Sequence, residues 1–480
     1  LNTVIGRSDI APRRAAWAWV AGVWTVICAG CAHYQAVPLE PEQSADRFAA
    51  RRLDAVPLRQ EFARLLPQAA AAWPPRAWDR AELLAVALTQ NPQLAVLRAQ
   101  VEASRAHETT ASQMPNPDLT LQSEYAPHDP YPWLYGISLN WLLRSPERRR
   151  LDIQIAGLAT SNARLELMDQ AWSVRSALAT ALSEWEEARR RSSLLARLAQ
   201  AEDGLVTLEQ ARVEAGEDAP SEVWVSRQAL LQVQQQQTVL RQIVVTAQAA
   251  AAKALGLPPQ ALDDVTIVWP DWGAPPDVGD ETRRTSREKA LLSRADLGQA
   301  LGEYAAAEAK LRQAIARQYP EFILSPGYYW DHGIAKFPFD LGFTLPLDRN
   351  RGEIAEAFAG RELAARRMLA LQADIYGQIV AAERAEHTAA SSVESALGLL
   401  QTARRQAQAA DLGLRLGAVG REEQLGAQIA AMRAELDALQ ARAQWQSSRN
   451  TLEDALRAPL SGPELELAKA LSPPAAGGGS

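Results

Sequence analysis

Strict alternation of apolar and polar residues is confined to a few short stretches of the chain. Tyr135, Ile137, Leu139, Trp141 and Leu143 alternate with Gly136, Ser138 and Asn140. Phe337, Phe339, Leu341, Phe343 and Leu345 alternate with Asp340, Gly342 and Thr344. Period two with one apolar face predicts half-exposed strands. Each follows a proline-led strand signal, "MPNPDLTLQSEY" (Met114–Tyr125) in the first case and "YPEFILSPGYY" (Tyr319–Tyr329) in the second. Helical spacing dominates elsewhere. Glu147 to Glu214 holds no proline and only two glycines, Gly157 and Gly204. A helix of about 68 residues would be about 100 Å long, far beyond a small domain. Arg349 to Arg415 repeats the pattern, with Ile354, Phe358, Met368, Ile375 and Ile379 as its apolar seam.

The two halves align on each other. Leu94 in "NPQL" matches Leu297 in "ADLG", and Pro117 matches Pro320, both at a separation of 203. "RSPERRRLDIQIA" (from Arg144) matches "DRNRGEIAEAFAG" (from Asp348), each opening a long helix. Gly216 pairs with Gly417, and "KALGLP" (from Lys253) with "DALRAP" (from Asp454), both at 201. Ordered landmarks at a near-constant offset predict a tandem duplication, each copy reading helix, strand, strand, long helix, turn, helix. The expected organisation is a signal peptide over 1–30 and an extension over 31–76, with one helix at "ADRFAARRLD". A first repeat over 77–258, a linker over 259–285 and a second repeat over 286–459 follow. Residues 460–480, ending in "PPAAGGGS", are too poor in apolar residues to fold.

Composition narrows the function. The net charge is -7 with a pI near 5.5, and the arginines are scattered among Glu and Gln, which argues against nucleic-acid binding. The five histidines, His33, His107, His128, His332 and His387, lack metal-ligand spacing, and no G-x-S-x-G or phosphate loop is present. No catalytic residue, metal site or cofactor is expected. Both cysteines, Cys28 and Cys31, lie near the start. Arg7, Arg13 and Arg14 precede the apolar run Ala15–Ile27, which is too short to span a membrane but suits a signal. "CAGC" resembles the lipobox of bacterial lipoproteins, which implies cleavage before Cys31 and its acylation, palmitate included. It departs from that pattern at Cys28, where leucine is usual, so an ordinary secretory signal is the alternative. The first methionine is Met114, so Leu1 reads as a non-AUG start or the edge of a fragment.

Four short strands with one apolar face leave edges open and cannot close a membrane barrel, which needs at least eight. Strands of nine to eleven residues suit a tilted bilayer crossing. Copies must combine, and twelve strands from a trimer would enclose an aqueous lumen where eight would not.

The duplicated plan, "NPQL", "PNPDL", "SPERR" and the glycine-containing turns resemble the TolC-type outer-membrane efflux channels over about residues 77–458. The resemblance implies a mainly α fold with membrane β: a long coiled helical tunnel and four strands per chain in a homotrimeric 12-stranded β-barrel. It implies a passive conduit, not an enzyme, lipid-anchored in the outer membrane and reaching through the periplasm. Its partners would be a periplasmic adaptor (membrane fusion) protein and an inner-membrane pump, and its cargo metal ions or small toxic compounds. The lipobox and "WPPRAWDRAELL" look most like channels of resistance-nodulation-division pumps, with the heavy-metal branch as a narrower match. A non-pore periplasmic coiled-coil lipoprotein is the alternative; it explains the helices but not the paired strands.

Tyr135, Ile137, Leu139, Trp141, Phe339, Leu341 and Phe343 are expected to face lipid. Gly216 and Gly417 read as residues just past the long helices, with Pro220 in the next first turn. By resemblance, these turns with Gly420 form the periplasmic tip that meets the adaptor. Glu222 and Glu423 each lie six residues after their glycine. The resemblance places Glu423 at the pore constriction as a carboxylate ring favouring cations. Val419 and Gly426 depart from the best-known member, so its tip-closing salt bridges are absent or built differently here.

Overall fold

The computed structural model describes residues 34–67, 73–345 and 347–467. The chain divides into two units, residues 1–50 and 51–480. In the first, α1 (Pro41–Ala49) starts earlier than expected because Pro41 opens it, and it ends at Ala49 rather than near Asp54.

The second unit begins with α2 (Val56–Leu65), which the sequence reading missed; it seats Leu58 and Phe62 in the core. Next come α3 (Arg80–Gln90), α4 (Pro92–Ser112), β1 (Asp118–Tyr125), β2 (Trp133–Leu143), α5 (Pro146–Glu214) and α6 (Pro220–Leu255). The second half runs α7 (Asp280–Ser293), α8 (Ala295–Ala316), β3 (Phe322–Asp331), β4 (Ile334–Lys336), β5 (Phe339–Phe343), α9 (Arg351–Arg415) and α10 (Arg421–Leu456). Helices α5 and α9 have 69 and 65 residues, so each is about 100 Å long. The expected fourth strand is divided into β4 and β5 at Phe337–Pro338, because Pro338 has no N–H to give the ladder. Its register against β3 continues through the break, where the Gly327 amide donates to the Pro338 carbonyl at 2.9 Å.

Four long helices lie side by side in the order α6, α5, α10, α9. Polar pairs mark each seam: Ser226 donates to Glu209 (2.8 Å), Arg433 to Glu202 (2.7 Å) and Arg404 to Glu435 (3.1 Å). Midway along α5 the main core forms a waist. There Trp172, Leu178 and Leu182 meet α3, the end of α6, and Trp269 and Trp272.

The "NPQL" motif has a physical job at this waist. Asn91 caps α4 by accepting from the Gln93 and Leu94 amides, and its Nδ2 donates to the Ala254 carbonyl. Gly256 (φ 73) follows, and a Cβ there would lie 2.4 Å from the Gln90 carbonyl oxygen. The second half makes the corresponding contact, Arg294 donating to the Ala455 carbonyl at 2.7 Å, with Arg457 (φ 48) in the left-handed position.

Buried ions bind the waist, across the halves and within the second. Arg175 pairs with Glu453 and Glu464, Arg80 approaches Glu464 (4.0 Å), and Arg449 pairs with Glu386 (3.2 Å). The expectation of an unfolded stretch from residue 460 is corrected at its start. Leu460, Glu464 and Leu467 are buried, held by these ions and by the core. No helix among the described residues is long and apolar enough to cross a membrane.

Candidate functional site

Two places carry the features the sequence singled out. The first is the sheet, ordered β1–β2–β3 with β4 and β5 both on the far side of β3. Its register brings the apolar sets of every strand to one face. Leu119 faces Leu139 and Leu121 faces Ile137; Tyr135 faces Trp330 and Trp141 faces Leu324; Leu324 faces Leu341 and Pro326 faces Phe339. All seven barrel residues named from the sequence, Tyr135, Ile137, Leu139, Trp141, Phe339, Leu341 and Phe343, therefore share this face. All are exposed except Leu139, which is half-buried.

Aromatic rings lie at both ends of the face. Tyr125, Trp133 and Tyr135 stack near the loops with centroids 4.7 and 5.7 Å apart, and Phe322 meets Phe343 at 6.0 Å near the helices. The other face is mostly polar or small, with Thr120, Gln122, Ser138, Asn140, Ser325 and Asp340. Asn140 bridges strands by donating to Thr120 (3.3 Å) and accepting from Ser325 (2.8 Å). Tyr329 lies over Gly136, where a Cβ would come within 2.3 Å of its ring; the aromatic covers the bare backbone. Among the described residues, β1 and β4/β5 each have one unpaired edge.

The second place is the end of the long helices. Gly216 (φ 77) and Gly417 (φ 73) both take the left-handed conformation. Each ends its helix with paired backbone bonds: Glu217 to Arg212 and Gly216 to Val213, then Ala418 to Gly413 and Gly417 to Leu414. Pro220 opens α6 and Gly420 precedes α10 as its cap residue. Val419 packs on Gly413, where a Cβ would approach its methyl to 3.0 Å, while Gly426 faces open space.

Glu222 and Glu423 are exposed and occupy the same third helical position of α6 and α10. Neither helix has a side-chain cap, so each carboxylate suits the positive end of its helix dipole. That local role alone would account for the matched pair.

The contacts between the two hairpins run through residues the sequence did not flag. Arg212 pairs with Asp218 (2.6 Å) on its own hairpin and with Glu422 (2.8 Å) on the other. Beside it, Glu209 is buried with Oε1 accepting from Ser226 (2.8 Å) and Oε2 without a partner. Burial pushes the Glu209 carboxyl above its ordinary range; the Ser226 bond opposes this, and the charges of Glu422, Glu222 and Asp218 add to it. Only Glu209's helical spacing to the tip was visible in the sequence. The partner across the hairpins was not.

Cys31 lies outside the described residues. Among those described, no group of three His, Cys, Asp or Glu side chains could hold a metal ion.

No protein-family profile matches the sequence. No curated protein matches it either. Solved structures do resemble it. The outer-membrane channel OprN aligns over 78% of this chain and 89% of its own, with 18% identity and a TM-score of 0.65. The outer membrane protein VceC of Vibrio cholerae covers 80% and 97%, at 16% identity and a TM-score of 0.63. The open-state MtrE outer membrane channel of Neisseria gonorrhoeae covers 79% and 89%, at 16% identity and a TM-score of 0.64. The chain has the fold of these outer-membrane channels.

Proposed function

We propose that this chain is one subunit of a TolC-type efflux channel in a bacterial outer membrane. One observation carries the reading: a four-stranded sheet with a continuous exposed apolar face and two open edges, mounted on paired helices of about 100 Å. Ten residue steps from Trp133 to Leu143 give about 33 Å along the strand, and about 25 Å of height at a tilt near 40°. That is the height of a lipid-facing band, and the aromatic clusters sit where its two girdles belong. Closing the open edges by a three-fold repeat gives a 12-stranded barrel, with Asn140 and Ser325 towards the lumen. The matching contacts of Asn91 and Arg294 support an ancestral duplication.

The helical end is the proposed periplasmic tip, which meets an adaptor and pump, and Cys31 is a proposed acyl anchor. The cargo, metal ions or small toxic compounds, passes without chemistry. Glu423, exposed at the start of α10, is the proposed constriction carboxylate.

Conductance in planar bilayers tests the reading. An arginine at a lipid-facing midplane position costs about 2–4 kcal/mol per site. Leu139→Arg should therefore abolish assembled channels, while Asn140→Arg should assemble and alter conductance. Glu423→Gln should remove cation preference without weakening assembly. Equal tolerance of Leu139→Arg and Asn140→Arg would sink the barrel assignment.

A further inference from the structure

Where the sheet joins the helices, a cleft of about 720 Å³ opens between α4, α5 and the end of α8. Arg144 and Glu321 stand one residue beyond the paired strand ends Leu143 and Phe322. Alternation places both on the side of Asn140 and Ser325, away from the apolar face. Arg148 and Asp152 of α5 and Lys310 of α8 continue the lining, with Arg317 just past the end of α8. Four cationic side chains thus share the cleft with two carboxylates. Higher up the balance is reversed. On that same face of the sheet, Asp118, Glu124, Asp331 and Asp340 stand against Lys336 alone.

Both carboxylates are already engaged. Glu321 is held by Arg148 (2.9 Å), which also donates to the carbonyls of Tyr319 (2.8 Å) and Ala316 (3.3 Å). Asp152 accepts from Gln313 and faces Arg144 at 3.5 Å. Arg317 turns one arm to Glu353 (2.9 Å). The groups left over are donors. Lys310 has no bond or ion pair among the described residues, and Arg144, 43% exposed, has only its loose contact to Asp152. The side-chain amides of Gln113 and Asn116 line the opposite wall beside His107. A cleft of this size whose spare groups are an ammonium, a guanidinium and amides suits a carboxylate or phosphate on a small organic molecule.

We infer that this cleft is an anion subsite on the inner wall of the conduit, taking a carboxylate or phosphate of organic molecules in transit. The inference rests on the conduit reading above and sharpens its cargo, because an organic anion is held here and a bare metal cation is not. Lys310 and Arg144 make the electrostatic contact, as basic side chains do in pores that pass anions. Arg148 is a positioning residue. It ties the start of α5 to the end of α8 and so keeps Arg144 and Lys310 on one cleft. The acidic sheet face above confines the attraction to this level, so an anion entering from the barrel meets its first favourable position at the junction.

The test uses the full-length protein in planar bilayers at about 0.1 M salt, where charges act over about 10 Å. Inorganic triphosphate is added on the barrel side. It should block the current of the unaltered channel, and a variant carrying Lys310→Gln and Arg144→Gln should need at least tenfold more for the same block. Both side chains are exposed, so conductance in salt alone should show channels assembling as before. An unaltered channel that triphosphate leaves open, or a block equally strong in the double variant, would overturn the cleft and leave the conduit reading standing. An unaltered protein that forms no channel at all would overturn both. If the double variant fails to assemble, Lys310→Gln alone, which removes no bond, should still raise the blocking concentration at least threefold. An unchanged block in that single variant would also overturn the cleft.

Discussion

The waist and the tip handle buried charge in opposite ways. At the waist, Arg80, Arg175 and Arg449 face Glu386, Glu453 and Glu464, three against three, and all six are buried. Burial is costly for such charges, and pairing offsets it unevenly: at Arg449 burial, with Arg283 nearby, outweighs Glu453 and Glu386 and lowers the guanidinium from its ordinary range. Arg175 is held protonated by Glu464 and Glu453 against the cost of its burial, and the Glu464 carboxyl is held below its ordinary range by Arg175 and Arg80 against the same cost. At the tip, Glu209 lies among Asp218, Glu222 and Glu422, and Arg212, which pairs with Asp218 and Glu422, is itself 37% exposed. One region is held by paired ions that are mostly buried, with the part-exposed Arg283 also on Glu386 (3.2 Å). The other gathers several carboxylates around one partly solvated guanidinium.

The largest test removes a waist ion. Arg175→Ala leaves Glu453 and Glu464 buried together with no guanidinium between them, and breaking a buried pair in this way costs about 3–5 kcal/mol. Thermal unfolding followed by circular dichroism should show a large drop in midpoint. Arg212→Ala, at an exposed bridge, should shift the midpoint far less. Comparable losses in the two variants would erase the contrast between the regions.

Acid should separate the regions next. Glu464 has a depressed folded pKa, so its stabilisation is complete above the ordinary glutamate value of about 4.3 and is lost as pH falls through the folded value. Glu209 has a raised folded pKa, so the folded tip binds its proton more readily than the unfolded chain and gains stability as pH falls through that value. Hydrogen exchange of waist and tip amides from pH 7 down to pH 3.5 should show tip protection rising first and waist protection falling at the acid end. A waist that loosens before the tip tightens would reverse the assignment.

What the sequence disclosed follows from the range of the interactions involved. The strands were legible because alternation is a local pattern, and the tip glycines because a left-handed residue after a long helix is a local need. Pro220 at the first turn of α6 is equally local. The waist was not legible: Arg175 and Glu464 are 289 residues apart, and each alone reads as a surface charge. Arg212 and Glu422, 210 apart, were hidden in the same way. The break between β4 and β5 lay in plain view at Pro338, but the period-two pattern continued through it and masked the missing donor.

The smallest expected effect is also the sharpest probe of the tip. Glu209→Gln keeps the oxygen that accepts from Ser226 and the length of the side chain, and removes only the buried charge. A carboxylate there is opposed by burial and by Glu422, Glu222 and Asp218, so its loss should leave stability unchanged or raise it slightly. The revealing measurement is pH dependence. In the unaltered protein, protection of the amides around Ser226, taken relative to their intrinsic exchange rate at each pH, should rise as pH falls and Glu209 takes up its proton. The Gln variant should show that higher protection at neutral pH already, and no further change in protection on acidification. If its protection still follows pH as before, another of the tip carboxylates is the responsive group, and Glu209 is buried there for packing with Ser226 alone.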